Sequence, residues 1–126
     1  ERLMRVGLSR RKSEYIIGIA KANFEGKLDF DLLRQQSSKK IREQLTSYRG
    51  VGTWTADNFR LFAFQDFDAW PGGDLALQEA MKKLKNLPFR PSDSQMTAIS
   101  NKWSPYRGAG ALMLWHSHAR TKRDKN

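Results

Sequence analysis

The chain has 126 residues and a mass of 14.6 kDa, enough for one domain around one core. Hydrophobic residues make up 39%, with four Trp and seven Phe, which excludes a disordered chain; the absence of cysteine excludes disulfides, thiolate zinc sites and iron–sulfur clusters. Lys plus Arg is 23 against 13 Asp plus Glu, a net charge of +10, and a folded domain so basic usually meets a polyanion, nucleic acid above all.

The signals are helical nearly throughout. Ser9 is placed to cap a helix through "RRKSEYIIGIAKANFE", with Ile16, Ile19, Ala20 and Phe24 at helical spacing and Gly26 as its stop. Asp29 or Asp31 starts a short "FDLLRQQ" segment, and Ser37 or Ser38 opens "KKIREQLTSY". "WTADNFRLFAF" reads as a helix with Trp54, Phe59, Phe62 and Ala63 turned inward. "DAWPGGD" is a loop, because Pro71, Gly72 and Gly73 break regular structure, and Asp74 is placed to cap "LALQEAMKKLK". Ser92 and Gln95 form a capping box for the helix toward Trp103. Ser104 and Pro105 provide a cap and a first-turn proline for "YRGAGALMLWHSHAR", and "TKRDKN" is a frayed end. No alternating strand pattern, repeat or membrane-length apolar run appears, so the expected class is all-α and the expected location cytoplasmic, at the nucleoid if the cell is bacterial.

The segment "LTSYRGVGTWTA" carries the sharpest functional signal. Gly50 and Gly52 permit positive φ and close approach of foreign atoms to the backbone. Their turn adjoins the N-terminus of the helix starting near Thr53, where free N–H donors and about half a positive charge suit a phosphate. Such contacts hold a nucleic-acid backbone without reading sequence. A bare helix–helix turn is the plain alternative. Arg10, Arg11, Lys12, Arg49 and Lys102 are further candidate phosphate partners, each alone an ordinary solvated charge. Asp74, read from its position alone, is an N-cap. Trp54 and Trp115 fit a core role as readily as a binding role. His116 and His118 point to different helix faces, make a poor metal pair, and read as surface.

"LTSYRGVGTWTA" resembles the helix-hairpin-helix pattern LxxxxGxGxxTA of the DNA glycosylase superfamily, at Leu45, Gly50, Gly52, Thr55 and Ala56. "VGLSRRKSEYIIGIA" resembles the helix before the hairpin, "AWPGGDLALQ" the loop ending in an aspartate, and "WSPYRGAGALMLW" the last helix of the bacterial 3-methyladenine DNA glycosylase II branch. The resemblance implies a helix-hairpin-helix glycosylase domain over 1–126 that acts on double-stranded DNA. It implies a phosphate grip by Arg49, Gly50, Val51, Gly52, Thr53 and Thr55. Asp74, 22 residues after Gly52, takes the place of the catalytic carboxylate.

Members that also cut the strand have a lysine where this chain has Trp54, so the resemblance implies simple hydrolysis of alkylated purines. It gives Trp54 and Trp115 the walls of the base pocket, and puts Asn58 where the branch has a pocket tyrosine. It implies no cofactor beyond a monovalent cation on the backbone carbonyls of Thr46, Tyr48 and Val51. Family domains carry further helices upstream of "MRVGLS", and apolar surface left uncovered without them would favour self-association. Two alternatives stay open: a non-catalytic DNA-binding module that keeps the hairpin, and a glycosylase for other damaged bases.

Overall fold

A computed structural model describes residues 2–123. All its regular elements are helical: α1 (Arg2–Arg5), α2 (Arg10–Phe24), α3 (Phe30–Arg34), α4 (Ser38–Thr46), α5 (Thr53–Phe62), α6 (Leu75–Leu84), α7 (Asp93–Ser100), a 3-10 turn (Asn101–Trp103) and α8 (Arg107–Arg123). No strand occurs among the described residues, as the sequence pattern predicts. The chain divides into two compact units, Glu1–Gly52 and Thr53–Asn126.

In the first unit the caps fall where the sequence places them. Ser9 Oγ accepts from the Lys12 amide, Asp29 from Asp31 and Leu32, and Ser37 from Lys40. Each satisfies orphan donors of a first turn, an effect of about 1 kcal/mol. Gly26 has φ +70 and ends α2, and the Lys27 and Leu28 amides fold back onto the Ala22 carbonyl. The buried apolar side chains are Ala22, Leu28, Leu33, Ile41 and Leu45. The expected inward stripe of α2 is a correction: Ile16 is 46% exposed and Phe24 92%, Ala20 is exposed, and Ile19 is only half-buried. Ser13 and Ala22 are the positions of α2 that this unit buries.

In the second unit α6 packs on α8. Leu77, Ala80 and Met81 meet Ala111 and Leu114, with Trp70 and Met96 completing the core. Gly108 lets α8 start tightly against the preceding loop. Its amide donates to the Phe67 carbonyl at 2.7 Å, and a Cβ there would meet Leu61 and that same carbonyl below 3 Å. Asp68 fixes the same corner, accepting from Arg107 Nε at 2.8 Å, Arg107 Nη2 at 2.7 Å and Ser104 Oγ at 3.0 Å. Ser104 is thus engaged by Asp68, and α8 begins at Arg107, two residues beyond the expected first-turn proline. The capping box of Ser92 and Gln95 is present, but α7 stops at Ser100. The expected frayed tail is helical to Arg123; the rest of that segment lies outside the described residues.

The inward face of α5 differs from the sequence expectation. Ala56, Asp57, Arg60 and Leu61 are buried, while Trp54 (50%), Phe62 (59%) and Ala63 are exposed and Phe59 is half-buried. The displacement has an electrostatic cause. Arg60 is held between Asp57 (3.2 Å) and Asp66 (2.6 Å), so a charged side chain can occupy a buried position that hydrophobicity alone assigns to its neighbours.

Candidate active site

The second unit brings two of the sequence-predicted side chains, Trp54 and Trp115, onto a third, the Asp74 carboxylate. Asp74 follows the Pro71–Gly73 turn, whose closing bond runs from the Asp74 amide to the Pro71 carbonyl at 2.9 Å. Gln78, buried one turn into α6, donates to the Gly72 carbonyl at 3.1 Å and ties the turn to the helix. Asp74 has extended backbone geometry, and its Oδ1 accepts from the Leu77 amide at 2.9 Å. The N-cap reading is therefore correct, and it does not consume the group.

Trp54 Nε1, from the first turn of α5, donates to Asp74 Oδ2 at 2.8 Å. Trp115 Nε1, from α8, donates to Oδ1 at 3.0 Å. Trp115 follows the core residue Leu114, so the packing of α8 on α6 is what carries its indole to the helix mouth. Burial pushes the Asp74 carboxyl up, but the bonds from Trp115 and Trp54 and the amides of Leu77 and Ala76 outweigh it. The group is held below the ordinary carboxylate range and is ionised at neutral pH. Asp74 is half-buried, so this charge is shielded yet open to a ligand.

Asn58 lies one turn beyond Trp54 and donates to the Trp54 carbonyl at 2.8 Å. Phe62, a further turn on, stacks against Trp115 with centroids 6.0 Å apart and planes at 21°. Phe62 is the member of this face that sequence reasoning assigned to the core. The spacing 54, 58, 62 runs along one helix face and was the available signal. His116 is exposed, whereas His118 is half-buried with Nδ1 enclosed and unpartnered, contrary to its surface reading. Among the described residues no cluster of His, Cys, Asp or Glu could hold a metal ion.

The glycine turn belongs to the first unit. Gly50 has φ +89, and a Cβ there would overlap the Tyr15 ring. Of the two hairpin glycines Gly50 alone uses positive φ; Gly52 has an ordinary φ and, beyond its chain neighbours, no atom within 4 Å of where its Cβ would stand. The chain's own packing therefore explains Gly50 and leaves Gly52 open to approach from outside. The Arg49 guanidinium lies over the Tyr15 ring, 5.8 Å from its centroid. The Val51 amide donates to the Tyr48 carbonyl at 3.1 Å, which leaves that oxygen a second lone pair. Thr53 and Thr55 are exposed in the first turn of α5. Of the other basic candidates, Arg10, Arg11, Lys12 and Lys102 are all exposed.

Known proteins resemble this chain in sequence and in fold. A putative DNA-3-methyladenine glycosylase of Bacillus subtilis is 34% identical over 109 residues, covering 86% of this chain and 38% of its own. A DNA-3-methyladenine glycosidase structure from Bacillus halodurans superposes with a TM-score of 0.82 at 30% identity, covering 96% of this chain and 56% of its own. The chain belongs to the helix-hairpin-helix DNA glycosylase superfamily. The Schizosaccharomyces pombe 3-methyladenine DNA glycosylase, solved in complex with abasic DNA, has a TM-score of 0.83 at 29% identity, covering 90% of this chain and 56% of its own. No protein-family model matches the chain. The chain spans about half the length, or less, of the curated glycosylases it matches.

Proposed function

We propose that the protein is a monofunctional DNA glycosylase that hydrolyses the N-glycosidic bond of alkylated purines of the 3-methyladenine type in double-stranded DNA, the first step of base excision repair. The observation that carries this reading is the ionised Asp74 carboxylate, fixed by two indoles and a helix N-terminus. Breaking an N-glycosidic bond leaves a cationic, oxocarbenium-like sugar, and a preorganised anion beside it is worth about 3–4 kcal/mol.

In the proposed reaction the damaged nucleotide is flipped from the stack into the aromatic site. The C1′–N bond breaks and its electron pair leaves with the base. An alkylated purine already carries positive charge, so it departs neutral and needs no strong general acid. Asp74 holds the sugar cation and orients water, whose oxygen bonds to C1′ while its proton goes to solvent. The rings of Trp54, Trp115 and Phe62 suit a cationic base through stacking and cation–π attraction, about 0.5–2 kcal/mol each. The turn Arg49–Gly52 and the exposed Thr53 and Thr55 would take DNA phosphates. The carbonyls of Thr46, Tyr48 and Val51 would hold a monovalent cation whose charge supports that grip. The site of action follows the substrate, at the cytoplasmic nucleoid in a bacterial cell.

The amine needed for a Schiff base is missing from this site, because Trp54 stands where a lyase carries its lysine. Incubation with methylated duplex DNA should release free methylpurine and leave an abasic site, with no protein–DNA adduct trapped by borohydride. A trapped adduct would establish the lyase alternative. DNA binding with no released base would establish the non-catalytic one.

A further inference from the structure

Asp74 has two carboxylate oxygens and about four lone-pair directions. Oδ1 takes the Leu77 amide at 2.9 Å and Trp115 Nε1 at 3.0 Å, and the Ala76 amide adds to the hold of the helix mouth on the carboxylate. Oδ2 takes Trp54 Nε1 at 2.8 Å as its one side-chain bond. The two indoles come from different helices, so together they fix both the rotation and the tilt of the carboxylate plane. A single cap bond to Leu77 would leave the side chain free to swing about that bond.

We propose that the indole N–H groups of Trp54 and Trp115 form a two-point clamp that orients the Asp74 carboxylate and leaves Oδ2 as its working oxygen. Both tryptophans are then positioning residues as well as aromatic walls. The use made of Oδ2 rests on the glycosylase reading; the clamp itself does not. A hydrogen bond to an ionised group is stronger than one to its neutral form, so the clamp also favours the anion.

The bonds to Asp74 come from uncharged donors. On α5, Arg60 is tied to Asp57 and to Asp66; on α8, Arg107 is tied to Asp68. On α6, Glu79 bonds Arg90, and Lys82 and Lys83 stand in the last turn, far along the helix from Asp74. His116, His118 and Arg120 follow Trp115 toward the end of α8, His118 facing a groove shared with Lys83. The indoles are thus the partners whose removal isolates the effect.

The test is a pH titration of the Asp74 carboxyl carbon by NMR in the wild type and in the Trp54→Phe and Trp115→Phe variants, which keep an aromatic ring and lose the N–H. Each variant should raise the midpoint by about one unit, the shift expected when one charge-assisted hydrogen bond to a partly exposed carboxylate is lost. Unchanged midpoints in folded variants would overturn the clamp. A variant that does not fold is covered by the wild type itself. There, the indole N–H resonances of both tryptophans should titrate with the Asp74 midpoint, and Asp74→Asn should abolish that titration; indole resonances indifferent to Asp74 would also overturn the clamp. Methylpurine release is measured alongside. Absent release with coupled titrations refutes the glycosylase and keeps the clamp, and release with uncoupled titrations does the reverse.

Discussion

The two hairpin glycines should fail in different ways when each is replaced by alanine. At Gly50 the backbone is left-handed, φ +89, and a new Cβ would overlap the Tyr15 ring. The conformational part costs about 1–2 kcal/mol and overpacking a further 1–3 kcal/mol. Gly50→Ala should therefore lose roughly 2–5 kcal/mol of stability. At Gly52 the φ is ordinary and no atom stands within 4 Å of the new Cβ, so Gly52→Ala should change stability by less than about 0.5 kcal/mol. The proposed phosphate grip gives Gly52 a different penalty. A methyl group where a phosphate approaches removes a charge-assisted contact, about 1.5–3 kcal/mol, or a tenfold to hundredfold loss of DNA affinity. Urea unfolding followed by circular dichroism, beside fluorescence anisotropy with a labelled duplex, separates the two effects. A Gly52→Ala protein as unstable as Gly50→Ala would refute the packing argument, and one that binds DNA like the wild type would refute the grip.

Asp68 is held at about 2 by the Arg107 guanidinium, which overcomes burial, against an ordinary 3.8. A depressed carboxyl stabilises above its unfolded value, and that contribution is lost as pH falls from about 4 through about 2. The shift corresponds to at most about 2 kcal/mol at neutral pH, and solvent screening of this partly exposed pair reduces it to about 1 kcal/mol; Asp68→Asn should remove it and flatten the acid limb of a stability–pH curve. Substituting the Ser92 cap by Ala should cost about 1 kcal/mol in thermal or urea unfolding, with no effect on DNA binding. The exposed Ile17 and Phe24 on α2 favour association between copies, so sedimentation at rising concentration should give masses above 14.6 kDa. A monomer throughout would contradict it.

Helix starts were readable because caps are local chemistry: Ser9, Asp29, Ser37, Asp74 and Ser92 each bond an amide two or three residues ahead. The partners of a buried face are not local. The inward side of α5 was misplaced because Arg60 is neutralised in part by Asp66, which lies beyond the helix in a loop. Ser104 reads as a cap until Asp68, 36 residues earlier, is seen to accept its hydroxyl. In the site, the family resemblance singled out Asp74, Trp54 and Trp115, but not that both indoles turn their N–H edges to the carboxylate. For Trp115 that depends on how α8 sits on α6 through Leu77, Met81, Ala111 and Leu114, and for Trp54 on where α5 begins beside the Asp74 turn.

The most direct test of the central claim is release of methylated purines from methylated duplex DNA by the wild type and by Asp74→Asn. The wild type should release them and the variant should lose at least about a hundredfold, with DNA binding retained. Equal release by both proteins would contradict it, because the carboxylate would then carry none of the chemistry.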